Sequence, residues 1–144
     1  MKEHRKRQQR ISRIRDIEQN RLLALIGELA KIENKLQQLK SQQRKLIQTR
    51  DEQLQASHAQ NVTSQQNFLG WLDKTTETIQ AMNKDIQLQT KHRQQATDRI
   101  SKKQTRIKSL ERLAEQIQET IKAELENQQM LDADEHALKD YARN

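Results

Sequence analysis

The chain has 144 residues, with 27 Lys and Arg against 20 Asp and Glu for a formal net charge of +7, and it contains neither Pro nor Cys. Charged residues make up 33% of it and aromatics only 2%, which leaves apolar material for a narrow seam between helices but not for a thick globular core. No apolar run approaches the roughly 20 residues needed to cross a bilayer. The basic N-terminus is not followed by the apolar stretch of a secretory signal, and a Cys-free chain fits a reducing compartment, so a cytoplasmic protein is expected.

Charge-rich chains poor in aromatics can be disordered. Sustained apolar periodicity argues against that here. Residues 1–15 carry seven Lys or Arg against one Glu, a net of +6. Within this arm Ile11 and Ile14 begin an apolar stripe. From Leu22 the stripe becomes regular through Leu25, Leu29, Ile32, Leu36 and Leu39, then Gln43 and Leu46. Steps that alternate three and four mark a left-handed coiled coil. Between Ile14 and Leu22 the step is four plus four through Glu18, which reads as a stutter. Gly27 lies inside this helix at a cost of about 1 kcal/mol relative to Ala.

The stretch from Ser57 to Ser64 breaks the pattern. Asn61 visits a left-handed backbone cheaply, and Thr63 followed by Gln66 has the spacing of a capping box. The first helix is therefore expected over about 5–57, a turn over 58–63 and the second helix over about 64–141. Together they predict an all-α fold, a long antiparallel two-helix coiled-coil hairpin.

One seam row of the second helix runs Leu72, Ile79, Ile86, Arg93, Ile100, Ile107, Ala114, Ile121, Gln128, Glu135. The other runs Thr75, Met82, Gln89, Ala96, Lys103, Leu110, Ile117, Glu124, Leu131, Leu138. Arg93 and Lys103 are expected to snorkel outward, while Gln43 and Gln89 set register at some cost in stability. At about 1.5 Å per residue the helices measure roughly 75 Å and roughly 110 Å. Folded back at Asn61, the N-terminus reaches the neighbourhood of Thr120. The C-terminal helix then overhangs, with Ile121, Leu125, Met130, Leu131 and Leu138 seeking a partner. The same pairing lays Arg5, Arg7, Arg10 and Arg13 beside Glu111, Glu115 and Glu119, so most of the basic excess is expected to meet complementary charge.

Catalytic signatures are missing. Gly27 and Gly70 are the two glycines and neither lies in a phosphate-cradling loop. His4, His58, His92 and His136 are too scattered for metal-ligand spacing, and a two-helix rod offers no pocket for a nucleophile and its base. No enzymatic activity, cofactor or small-molecule substrate is expected. Two features remain. Trp71 and Leu72 follow Phe68 by three and four residues and so share one face of the second helix with it; they either staple the end of the seam, or Leu72 turns in while Phe68, Leu69 or Trp71 faces outward as a docking anchor, and exposed aromatics on a polar rod favour docking. The basic arm and the run Arg99, Lys102, Lys103, Arg106, Lys108 invite a nucleic-acid reading, against which stands the lack of interleaved aromatics for base stacking.

The ending carries the most specific pattern. Asp134-Glu135, then Ala137, then Tyr141 through Arg143 resembles the close of FliJ-type flagellar export proteins: an acidic pair, a small residue and an aromatic followed by a basic residue. The chain length, the unequal hairpin and the cluster just past the turn are similar to that family, and to its virulence-secretion relatives, the YscO group. The resemblance implies a non-enzymatic stalk of the type III export apparatus, peripheral to the inner face of the cell membrane. Its implied partners are a hexameric export ATPase, the cytoplasmic domain of the export gate, and export chaperones. By position the gate contact falls on Phe68, Trp71 and Leu72, with Thr75 and Thr76 where the family pattern has a Leu. The paired termini are the candidate ATPase contact, through Arg7, Arg10, Leu131, Asp134, Glu135, Leu138 and Tyr141. A basic nucleic-acid-binding coiled coil and a homodimeric scaffold are the alternatives from other classes.

Overall fold

The computed structural model describes residues 2–56 and 62–143, with the side chains of 62–64 excepted. It is all-α: α1 covers Lys2–Ala56 and α2 covers Val62–Arg143. The two pack antiparallel as a coiled-coil hairpin from which the C-terminal part of α2 overhangs. Of the expected turn over 58–63, residues 58–61 lie outside the described residues and 62–63 already belong to α2, which begins two residues earlier than expected; the Thr63 side chain of the expected capping box also lies outside the described residues. By contacts the chain divides into two units, Met1–Ala24 with Ile100–Asn144, and Leu25–Arg99.

In the second unit the seam follows the heptads read from the sequence. Leu25, Leu29, Ile32, Leu36, Leu39, Gln43 and Leu46 are all sheltered on α1, facing Thr75, Ile79, Met82, Ile86, Gln89, Arg93 and Ala96 on α2. Gln43 reaches across: its Nε2 donates to the Ile79 carbonyl at 3.3 Å and to Asn83 Oδ1. A hydrogen bond to a backbone carbonyl ties one rung of α1 to one rung of α2, which a row of leucines cannot do, since leucines pack nearly as well one heptad away. Gln43 thus has the geometry of a register anchor.

The first unit departs from expectation. Its apolar centre is Ile11 against Ile117 and Ile121, with Leu110, Leu113, Ala114 and Leu125 packed around them. Ile14, however, is 40% exposed, and the seam instead passes through Ile11, Arg15, Glu18 and Leu22. Those steps run four, three, four, so there is no stutter. Two charged residues hold seam positions, and a frame built on apolar residues alone breaks where the real one continues.

Glu18 is only 3% exposed. Lys103 Nζ donates to its Oε2, Arg21 Nη1 lies 3.1 Å from its Oε1, and Arg106 Nε lies 3.8 Å away. Lys103 therefore does not snorkel outward: a buried carboxylate across the seam offers it a better partner than water. The Lys103 hydrogen bond, helped by the charges of Lys103, Arg106 and Arg21, holds the Glu18 carboxyl below its ordinary range despite burial, which pulls the other way. Such a pair adds little net stability against an apolar isostere, yet breaking it strands a charge, so it selects one register over others. Nearer the N-terminus the seam is polar again. Gln8 Nε2 donates to Gln118 Oε1 at 2.8 Å and His4 Nε2 lies 3.1 Å from Glu124 Oε1.

Candidate docking surfaces

Phe68 and Trp71 stand one turn apart at the start of α2, and their rings stack with centroids 5.7 Å apart and planes 29° from parallel. Both are half-buried, as is Leu72; the next turn in, Thr75, is buried. Each ring covers a face of the other, so neither is fully solvated nor fully enclosed. Leu69 is the outward member, 56% exposed. On α1, Asp51, Gln53 and Gln55 are exposed and Arg50 is half-buried beside Asp51, 3.4 Å between them. Leu72 and Phe68 fall on the seam rows and Trp71 on their flank, all three half-buried, while Leu69 is exposed. Of the three residues the docking reading offered as an outward anchor, Phe68, Leu69 and Trp71, Leu69 is the exposed one; it directly follows a seam position and so points off the seam.

The N- and C-terminal candidates are all exposed: Arg7, Arg10, Leu131, Asp134, Glu135, Leu138 and Tyr141. The structure does not bring them together. The His4–Glu124 contact fixes the level at which α1 begins, and every residue from Glu126 to Arg143 is exposed. Leu131 to Tyr141 therefore lie roughly 10–25 Å beyond Glu124 along the helix axis, whereas Arg7 and Arg10 lie back along the packed part. On the overhang, Leu131, Asp134, Leu138 and Tyr141 follow a three-four-three spacing and share a face.

The expected side-by-side placement of arginines and acids does not extend to ion pairs. Among the described residues Arg5, Arg7, Arg10 and Arg13 are exposed and form no ion pair with Glu111, Glu115 or Glu119. Seam positions here go to His4, Gln8, Ile11 and Arg15, which turns those four arginines toward solvent. Arg15 keeps one bond, from Nη2 to Asp16 at 3.3 Å, while its Nε is buried with no hydrogen-bond partner.

As for chemistry, among the described residues no group of three or more His, Asp or Glu is placed to hold a metal ion. His92 and His136 are exposed, and His58 lies outside the described residues. Among the described residues no helix is long and apolar enough to cross a membrane. No protein-family model matches the chain, and no curated protein or solved structure matches it significantly.

Proposed function

We propose that this chain is a non-enzymatic stalk of a type III protein export apparatus, of the FliJ kind. It would sit in the cytoplasm, peripheral to the membrane. The observation that carries the proposal is the overhang. The acidic pair, small residue and aromatic–basic ending lie on a stretch of helix, 126–143, whose residues are all exposed among the described residues, where a partner can read them. The half-open cluster of Phe68, Leu69, Trp71 and Leu72 supports a second, separate contact.

In this reading the overhang and the basic arm engage a hexameric export ATPase, and the cluster engages the cytoplasmic domain of the export gate. Export chaperones are further partners, with no residues assigned. A coiled coil suits the task because two helices sharing a seam resist bending and carry different side chains at different levels.

The test is a pull-down with both partners. Trp71→Ala should weaken gate binding by tenfold or more, in line with removal of an aromatic hot spot worth about 1.4 kcal/mol or more, with helicity unchanged. Removing residues 126–144 should abolish ATPase stimulation and spare gate binding. Intact protein that captures neither partner overturns the proposal. The exposed, unpaired arginines of the arm favour a second reading, nucleic-acid binding. It requires duplex affinity that falls steeply with salt, which a mobility shift measures directly.

A further inference from the structure

The overhang has an apolar stripe and an acidic balance; the arm has an apolar stripe and a basic one. On the outer flank of α1, Arg7, Arg10, Ile14, Ile17 and Arg21 recur at steps of three, four, three and four, all exposed, with Ile14 at 40% and Ile17 at 51%. Branched aliphatics left in water on an otherwise charged helix mark a contact face. The overhang stripe Leu131, Asp134, Leu138, Tyr141 repeats the three-four-three spacing. Residues 126–143 carry five acids and two bases, a net of −3, while residues 2–21 carry eight bases and three acids, a net of +5.

We infer that the overhang of one molecule docks on the arm of a second copy of this chain, and reciprocally, to form a two-fold dimer. Within one molecule the stripes cannot meet. Leu138 lies about 20 Å beyond Glu124, and Ile14 lies about 15 Å back from His4 in the opposite sense. A two-fold axis across the helices sets the direction, because it makes the overhang run parallel to α1 of the copy it meets. The register follows from the apolar pairs. Leu138 and Tyr141 are the two apolar residues three apart within Leu131–Tyr141, as Ile14 and Ile17 are on the arm. Setting Leu138 against Ile14 and Tyr141 against Ile17 places Asp134 against Arg10 and Leu131 against Arg7, whose stem can cover a leucine. An opposite charge thus meets Arg10 with no further adjustment, and like charges do not face each other at these four levels. The inference rests on exposed stripes and charge alone; because it uses the residues of the proposed ATPase contact, the second copy and the ATPase would compete for them.

Two experiments on the full-length protein test it. The chain has no Cys, so Ile14→Cys with Leu138→Cys creates a single pair whose Cα atoms must come within about 7 Å to bond. Mild oxidation should give a covalent dimer on a non-reducing gel, and the mismatched pair Ile14→Cys with Leu131→Cys should give little. Sedimentation velocity should show a dimer that dissociates at high salt. Leu138→Asp, at an exposed site that leaves the fold intact, should weaken it at least tenfold. Arg10→Glu should weaken it as well, and Arg10→Glu with Asp134→Arg should restore it. Monomer at about 100 µM in low salt, a concentration that populates even weak pairs, overturns the inference and leaves the stripes to a foreign partner. Equal crosslinking of matched and mismatched pairs, or no rescue by the double swap, overturns the register.

Discussion

Ile117 and Leu138 occupy the same heptad row of α2, three heptads apart, and they make a controlled comparison of what the hairpin does for its helices. Ile117 is 5% exposed and packs on Ile11 and Ile121; Leu138 is 68% exposed on the overhang. Ile117→Ala removes three carbons from a sheltered site. At about 0.8 kcal/mol per buried methylene, the lost transfer free energy is about 2.4 kcal/mol. The additional cavity cost seen in globular cores should be small, since water can enter a two-helix seam from both flanks. The expected loss therefore sits near the bottom of the 2–5 kcal/mol range typical of Ile-to-Ala changes, with a fall in Tm on the order of 10 °C. Leu138→Ala should stay within about 0.5 kcal/mol, as for surface changes generally. Urea unfolding followed by circular dichroism, at about 1 µM so that self-association does not contribute, measures both. Equal losses at the two positions, or a loss confined to Leu138, would refute the assignment of the seam and of the overhang together.

Glu18→Gln should lower stability at neutral pH by leaving Lys103 beside a neutral amide. Its pH dependence is more telling. The folded carboxyl titrates below its ordinary value of 4.5, so its contribution is complete above that value and is lost as pH falls through the lowered folded value. The wild-type and variant stability curves should therefore converge as pH falls below 4.5 and through the lowered folded value; parallel curves would show that the carboxylate is not held by its cations. Gly27→Ala and Gly70→Ala should each stabilise the protein by about 0.5–1 kcal/mol, because an added Cβ meets nothing within 4 Å at either site. A lowered Tm in either variant would mean that the site is not an ordinary exposed helix position.

Much of the hairpin was legible because a coiled coil writes its contacts at fixed intervals. Every seam position read from Leu22 to Leu46 is sheltered, as is every one from Leu72 to Glu124. What escaped was chemistry that an apolar count ignores. Glu18 looked like a defect flanked by isoleucines, yet Lys103, Arg21 and Arg106 make it fit the interior. Ile14 then falls outside the seam, and its exposure, with that of Ile17, is what gives the arm a second face. The arginine-to-glutamate pairing was inferred from level alone. Level along a helix pair does not decide azimuth, and among the described residues these side chains are exposed and form no ion pair with the acids opposite. The Phe68–Trp71 stack was half visible, since spacing puts the rings on one face without fixing how far they lean on each other.

The overhang also has a consequence for how α2 holds its shape. An isolated peptide of its length would be a marginal helix in water, because the first turn is costly to start. Residues 126–143 are spared that start: they grow from a segment already anchored on Ile11 through Ile117 and Ile121, and each further turn is simple propagation. Such a stretch unwinds from the side away from its anchor, one residue at a time. Amide protons should exchange along a smooth gradient from Arg143 toward Leu125, where the anchored part takes over, which leaves the last turns free to rewind against whatever surface they touch.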